Sequence, residues 1–146
     1  MKGKLFVAML TVLISASSFG LWGRNETSLF DKEGEAKAFI SEDSTIYLWD
    51  GAPVAYLSDA YNAWHIYGFN GDHLGWYANG IIYNNDGDIV GAQKGAANLI
   101  TSSEIGKGMK SMKPFPSLKK IAPGKPIFSS SWSKTPLEGF LKAGKD

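Results

Sequence analysis

The sequence predicts a mainly β fold: four consecutive β-hairpin repeats in a pseudo-fourfold arrangement, with a C-terminal tail that docks back onto them. Three observations lead there. A short unit recurs four times between Leu29 and Gln93, its first aromatic falling at Phe30, Tyr47, Tyr67 and Tyr83. Each copy has a turn dipeptide at its centre: Glu33-Gly34, Asp50-Gly51, Asn70-Gly71 or Asp86-Gly87. The 17 glycines and 13% aromatic content belong to a turn-rich sheet protein rather than to a helical one.

Taken in order, residues 1–20 read as a signal peptide. Lys2 and Lys4 precede an uncharged apolar run, Leu5–Ile14, and small residues follow it, so cleavage is expected near 17–20. The run is short for the ~20 residues of a membrane-spanning helix, and no stable span is expected after cleavage. Residues 21–28 read as a spacer that holds Asn25-Glu26-Thr27, formally a glycosylation acceptor.

Residues 29–93 are the four-hairpin domain. Asp-Gly and Asn-Gly suit a two-residue type I′ loop, in which both residues take positive φ. Such a loop sets Trp49 opposite Ala52 and Tyr47 opposite Val54 on an aromatic face. The other face then pairs a large aliphatic with a small residue in every copy: Leu29 with Ala38, Ile46 with Ala55, Ile66 with Gly75, and Ile82 with Gly91. A large group facing a small one suits the crowded centre of a closed arrangement. One hairpin alone is marginal in water, whereas four can bury one another. Ser58–His65, with Tyr61 and Trp64, reads as an irregular connector, and Ala78-Asn79-Gly80 as a tight link. Residues 94–125, rich in Gly, Pro and Lys and without a sustained period, read as a basic linker. Residues 126–146 are apolar again. Phe128, Trp132, Leu137, Phe140 and Leu141 are too many large groups to leave in water. They are expected to dock on the hairpins, with a helix start at Thr135-Pro136-Leu137-Glu138.

Four stretches carry a family resemblance: Ile46–Leu57 (IYLWDGAPVAYL), Ile66–Tyr77 (IYGFNGDHLGWY), Tyr83 through Asp86-Gly87 to Gly91, and Trp132–Leu141 with its Trp-Ser and Pro-Leu pairs. Together they resemble the bacterial four-fold β-flower domain over about Leu29–Leu141. Ala92 departs from the pattern, which favours a larger group there. The resemblance implies the pseudo-fourfold hairpin fold and brings no activity or catalytic residue with it.

Composition narrows the chemistry. With no cysteine, disulfides, thiol catalysis and Cys-ligated metals are excluded. Residues 24–92 hold three basic and eleven acidic side chains, and 93–146 hold ten lysines against three acids. A basic tail lying back on an acidic body explains this split more economically than a surface for an anionic polymer or a membrane. Nucleic acid is not expected as a partner, because the aromatics and the lysines fall in different halves. His65 and His73, the only histidines, are too few for a zinc site, and no metal or other cofactor is expected. Asn84–Asp88 has calcium-like spacing, but the turn already accounts for it and the glutamate of a calcium loop is missing. No nucleophile stands in a Gly-x-Ser-x-Gly elbow, so no catalytic residue is assigned.

The aromatics remain. Most are expected to be core, and Trp49, Tyr61, Trp64, Phe69 and Trp76 are the candidates for ligand binding. The functional expectation is an exported, non-catalytic binding or structural module, periplasmic or extracellular, with an envelope protein or glycan as partner. The alternative is a small cell-envelope enzyme acting on a glycan or peptide.

Overall fold

The computed structural model describes residues 25–145. The expected signal peptide lies outside them. Eight strands follow one another as an antiparallel meander: β1 (Thr27–Phe30), β2 (Ala36–Ile40), β3 (Thr45–Leu48), β4 (Pro53–Ala60), β5 (Ala63–Gly68), β6 (His73–Ala78), β7 (Ile81–Asn84) and β8 (Ile89–Ala92). They form a closed barrel, completed where Phe30 of β1 meets Ala92 of β8. Ala92, where the repeat favours a larger group, is fully buried at this seam. That single pair closes the seam, and the part of β8 it leaves unpaired is covered by residues 131–133.

The inner face is the aliphatic–small face, as expected. Leu29 pairs with Ala38, Ile46 with Ala55, Ile66 with Gly75, and Ile82 with Gly91. The four aliphatics are fully buried in one core cluster. At Gly75 an added Cβ would overlap the Tyr83 carbonyl oxygen, so the small partner is required by the close approach of neighbouring strands.

The loop type differs from expectation. In each hairpin the turn glycine donates its N–H to the carbonyl three residues earlier: Gly34 to Asp31, Gly51 to Leu48, Gly71 to Gly68 and Gly87 to Asn84. Only the glycine has positive φ, and Asp50, Asn70 and Asp86 do not. These are three-residue loops ending in a left-handed glycine, not two-residue type I′ loops. Leu48 therefore faces Ala52, and Trp49 sits in the turn. The inner pairs survive because each second strand carries a bulge one residue later, at Lys37, Val54, Leu74 and Val90. The extra residue in the loop and the extra residue in the bulge offset each other. Val54 and Val90 consequently turn into the core rather than onto the aromatic face.

Type I′ geometry occurs at the opposite end of the barrel. Tyr61 and Asn62 (φ 51° and 59°) and Asn79 and Gly80 (φ 52° and 79°) are its central pairs. The stretch 58–65, expected to be irregular, is a continuous ladder from Ser58–His65 to Ala60–Ala63. Without a glycine in Tyr61-Asn62, the turn left no strong mark in the sequence.

The largest departure is 94–125, expected as a linker. It forms a strap over the outside of the barrel, fastened at every hairpin turn. Backbone N–H groups of Ser102, Ser111, Lys120 and Ser129 donate to the carbonyls of Gly34, Gly51, Gly71 and Gly87. The carbonyls of Ile100, Met109, Leu118 and Ile127 lie against those same glycines. Both series advance by nine residues, so the strap is a second fourfold repeat in step with the first. Gly108 and Ser117 add N–H bonds to the Trp49 and Phe69 carbonyls, each 2.8 Å. The corresponding position in the last unit is Pro126, which has no N–H to give. There the chain pairs instead with β8, through Ile89 N–H to Ser131 O and Ser133 N–H to Ile89 O.

The tail docks as expected. Helix α1 (Leu137–Lys142) buries Leu137, Phe140 and Leu141 in the barrel core. Its cap is Pro136, without a side-chain bond, one residue after the expected Thr135. Gly144 packs on Gly68, and its carbonyl accepts from Asn70 N–H.

Candidate functional site

The strap decides which aromatics reach solvent. Phe39, Tyr47, Tyr67, Phe69 and Tyr83 point outward from the barrel yet are buried beneath it. Lysine ammonium groups roof the rings. Lys107 lies 4.3 Å from the centre of Phe39 and Lys110 5.8 Å from Tyr47, and Lys119 covers Tyr56 and Tyr67. Phe128 stacks on Tyr83 at 4.0 Å, nearly parallel. Of the candidate binding residues, Trp49 and Phe69 are taken up in this way. Trp49 Nε1–H donates to the Ile105 carbonyl at 2.9 Å, and Phe69 is buried with its carbonyl bonded to Ser117.

Several acids of the body are likewise engaged. Glu26 meets Lys107 and Lys110 at 2.6 and 3.2 Å, Asp43 meets Lys113 at 2.8 Å, and Asp72 meets Lys120. Partial burial pushes the Glu26 and Asp43 carboxyls up, but bonds from Lys107 and Lys110 to Glu26, and from Lys113, Ser41 and Thr45 to Asp43, outweigh it and hold both below the usual range. Asp31 and Asp50 accept backbone N–H groups of their own turns. Asn84 does the same for Asp86 and Asp88, so the oxygen nearest a calcium-like role is turned to the backbone. Among the described residues, no three His, Asp or Glu side chains gather as a metal site.

Tyr61, Trp64 and Trp76 come together at the type I′ end. Tyr61 is 96% and Trp64 42% exposed, whereas Trp76 is buried and shows one side to two adjoining clefts. The larger, ≈290 Å³, is lined by Tyr61, Ala63, His65, Trp76 and the strap residues Ile121, Pro123 and Lys125. The smaller, ≈190 Å³, lies between Asn62, Trp64, Tyr77, Asn79, Lys125 and Phe128. Trp76 is held rigidly: its Nε1–H donates to Asn85 Oδ1 at 3.0 Å, and Asn85 donates to the His73 carbonyl at 3.0 Å. The strap residues were missed as site components. The signal that would have revealed them is the nine-residue spacing of Ile100, Met109, Leu118 and Ile127.

Behind Trp76 the two histidines form a pair. A carbonyl only accepts, so His65 Nε2–H donates to Ala60 O at 3.1 Å. His65 Nδ1 then accepts from His73 Nε2–H at 2.9 Å. His73 Nδ1 is left buried without a partner. Burial first, and His65 second, lower the His73 pKa to about 4, while Asn85 pulls weakly the other way. The folded chain therefore resists protonation that the unfolded chain accepts near 6.5. The resulting stability is full above that pH and is lost as pH falls toward 4. After allowance for solvent screening, roughly 1–2 kcal/mol is expected to disappear over this window. Urea unfolding at several pH values checks it, and His73→Phe is expected to flatten that part of the profile. An unchanged slope in the variant would assign the loss to other groups.

These features define a class: a closed antiparallel barrel of four hairpins, built on an inner aliphatic–small repeat and plugged by a C-terminal helix. The profile of the 4-fold beta flower protein family matches residues 27–141, and the chain belongs to that family. Comparison with curated proteins and with solved structures returns no match.

Proposed function

We propose that this chain is an exported, non-catalytic binding module that holds an envelope glycan in the paired clefts at the type I′ end of the barrel. The observation that carries the reading is the placement of Tyr61 and Trp64, exposed rings on rigid turns and strands beside a recessed Trp76. Flat aromatic area suits the apolar faces of sugar rings. Asn62, Asn79 and Lys125 offer amides and an ammonium to the hydroxyl and acidic groups around such rings. The N-terminal pattern of residues 1–20 supports export. Against the alternative, a small envelope enzyme, stands the lining of the clefts, which includes no carboxylate.

Soluble peptidoglycan glycan strands are the ligand to try, followed by intrinsic tryptophan fluorescence. Trp64→Ala is expected to weaken binding about tenfold, as loss of a contact aromatic does. Ile100→Ala, on the strap away from the clefts, is expected to bind normally. Absence of saturable binding by the unaltered chain would defeat the reading.

A further inference from the structure

The strap is turned inside out relative to a soluble surface segment. Its lysines fold inward, onto the acids and rings of the barrel, and its apolar side chains face water. Ile105, Met109, Met112, Phe115, Leu118 and Ile121 are each between 78% and 98% exposed. Exposure this complete means that the side chains do not pack on one another either. They stand as separate prongs on an extended backbone, which is fastened to the turns by the bonds from Gly108, Ser111, Ser117 and Lys120. Single exposed apolar residues need no explanation, but a succession of them on one covering segment marks an interaction surface.

We propose that the strap is a membrane-contacting surface, which inserts these prongs into the interfacial region of a lipid bilayer. Three features favour lipid over other apolar partners. Isolated protruding side chains leave no groove for the ridge of a folded protein, whereas fluid acyl chains close around each prong. From Ile100 to Ile127 the strap holds six lysines and one glutamate, and alternating alkyl and lysine groups suit the bilayer interface. Lys119 is exposed at the strap surface and bridges no carboxylate among the described residues, so its charge stays unneutralised beside the prongs. A second copy of the chain is disfavoured, because strap-to-strap contact would bring two basic segments together. The proposal goes beyond glycan binding and does not depend on it: the clefts lie at the type I′ end, and the prongs include strap positions such as Met112 and Phe115 that line neither cleft.

The chain has no cysteine, so single labels can be placed cleanly. Met112→Cys and Phe115→Cys in the full chain, each carrying an environment-sensitive nitrobenzoxadiazole probe, are mixed with vesicles of equal parts phosphatidylcholine and phosphatidylglycerol. Asp59→Cys, exposed on β4, is the control position. At 112 and 115 the probe is expected to shift to the blue and brighten several-fold, and to be quenched by lipids carrying a shallow nitroxide, while the control stays unchanged. Silence at 112 and 115, or an equal response at Asp59→Cys, overturns the proposal. It would assign any association to another part of the chain, the N-terminal segment included. A response without vesicles that grows with protein concentration overturns it in favour of self-association.

Discussion

Gly71→Ala is expected to destabilise the protein by roughly 3 kcal/mol, far more than alanine costs at most surface sites. Two independent requirements meet at this residue. Its φ of +93° is a conformation that costs an L-residue about 1–2 kcal/mol. The Leu118 carbonyl also lies where a Cβ would go, so the strap must lift, weakening the Lys120 N–H bond to Gly71 O and exposing buried rings. Gly95 and Gly106 separate the two effects. Both have positive φ, at 84° and 76°, with nothing near the added Cβ. Alanine there is expected to cost only about 1 kcal/mol. Chemical denaturation of the three variants measures the difference, and equal losses would mean that the strap contributes nothing at the turn. The same surplus is expected at Gly51, where Met109 O fills the space.

Leu141→Ala is expected to cost about 2–5 kcal/mol, a large share of the stability of a domain this size. The side chain is fully buried and belongs to the same cluster as Ile46, Ile66 and Ile82. A helix of six residues has little stability of its own, so α1 stands because it fills the barrel. Its fit is close: at Gly91 an added Cβ would meet both methyl groups of Leu137 at 2.9 Å. The barrel cannot readily contract to fill a lost side chain, since closed hydrogen-bonded strands fix its radius. Thermal and urea unfolding check the expectation. A loss below about 1 kcal/mol would show that α1 is an accessory rather than part of the core.

Two layers of the molecule differ in how far the sequence discloses them. The inner layer was legible because its signal is local and redundant. Four aliphatic–small pairs sit at fixed offsets around four turn glycines, and the pairing is the same for a two-residue loop as for the three-residue loop with its bulge. Asp-Gly and Asn-Gly serve both loop types. The choice between them rests on the bulge at Lys37, Val54, Leu74 and Val90, which no residue type demands. The outer layer was not legible as structure. Its repeat is made by backbone atoms, so positions such as Ser111 and Lys120 share a role without sharing a side chain. Only the apolar residues at 100, 109, 118 and 127 keep a trace of the period. They do so on the solvent side, where no packing constraint fixes the residue type.

The candidate site follows the same division. Tyr61 and Trp64 stand out in the sequence as aromatics outside the hairpin repeat, and Trp76 as a member of the aromatic face of the third copy. Their convergence, and the exclusion of Trp49 and Phe69, depends on where the strap crosses the barrel. The sequence by itself determined a fourfold hairpin protein with an aliphatic–small centre, an apolar tail and no thiol chemistry. Periodicity and composition are properties of the chain that survive any arrangement in space. Only the tertiary structure decided that the closed arrangement is a barrel sealed between Phe30 and Ala92, that the tail docks inside it as α1, and that a basic segment covers the aromatic face with its own apolar side chains outward. Those outcomes depend on contacts between residues far apart in the chain, such as Gly34 with Ser102 and Phe30 with Ala92, which local pattern does not encode.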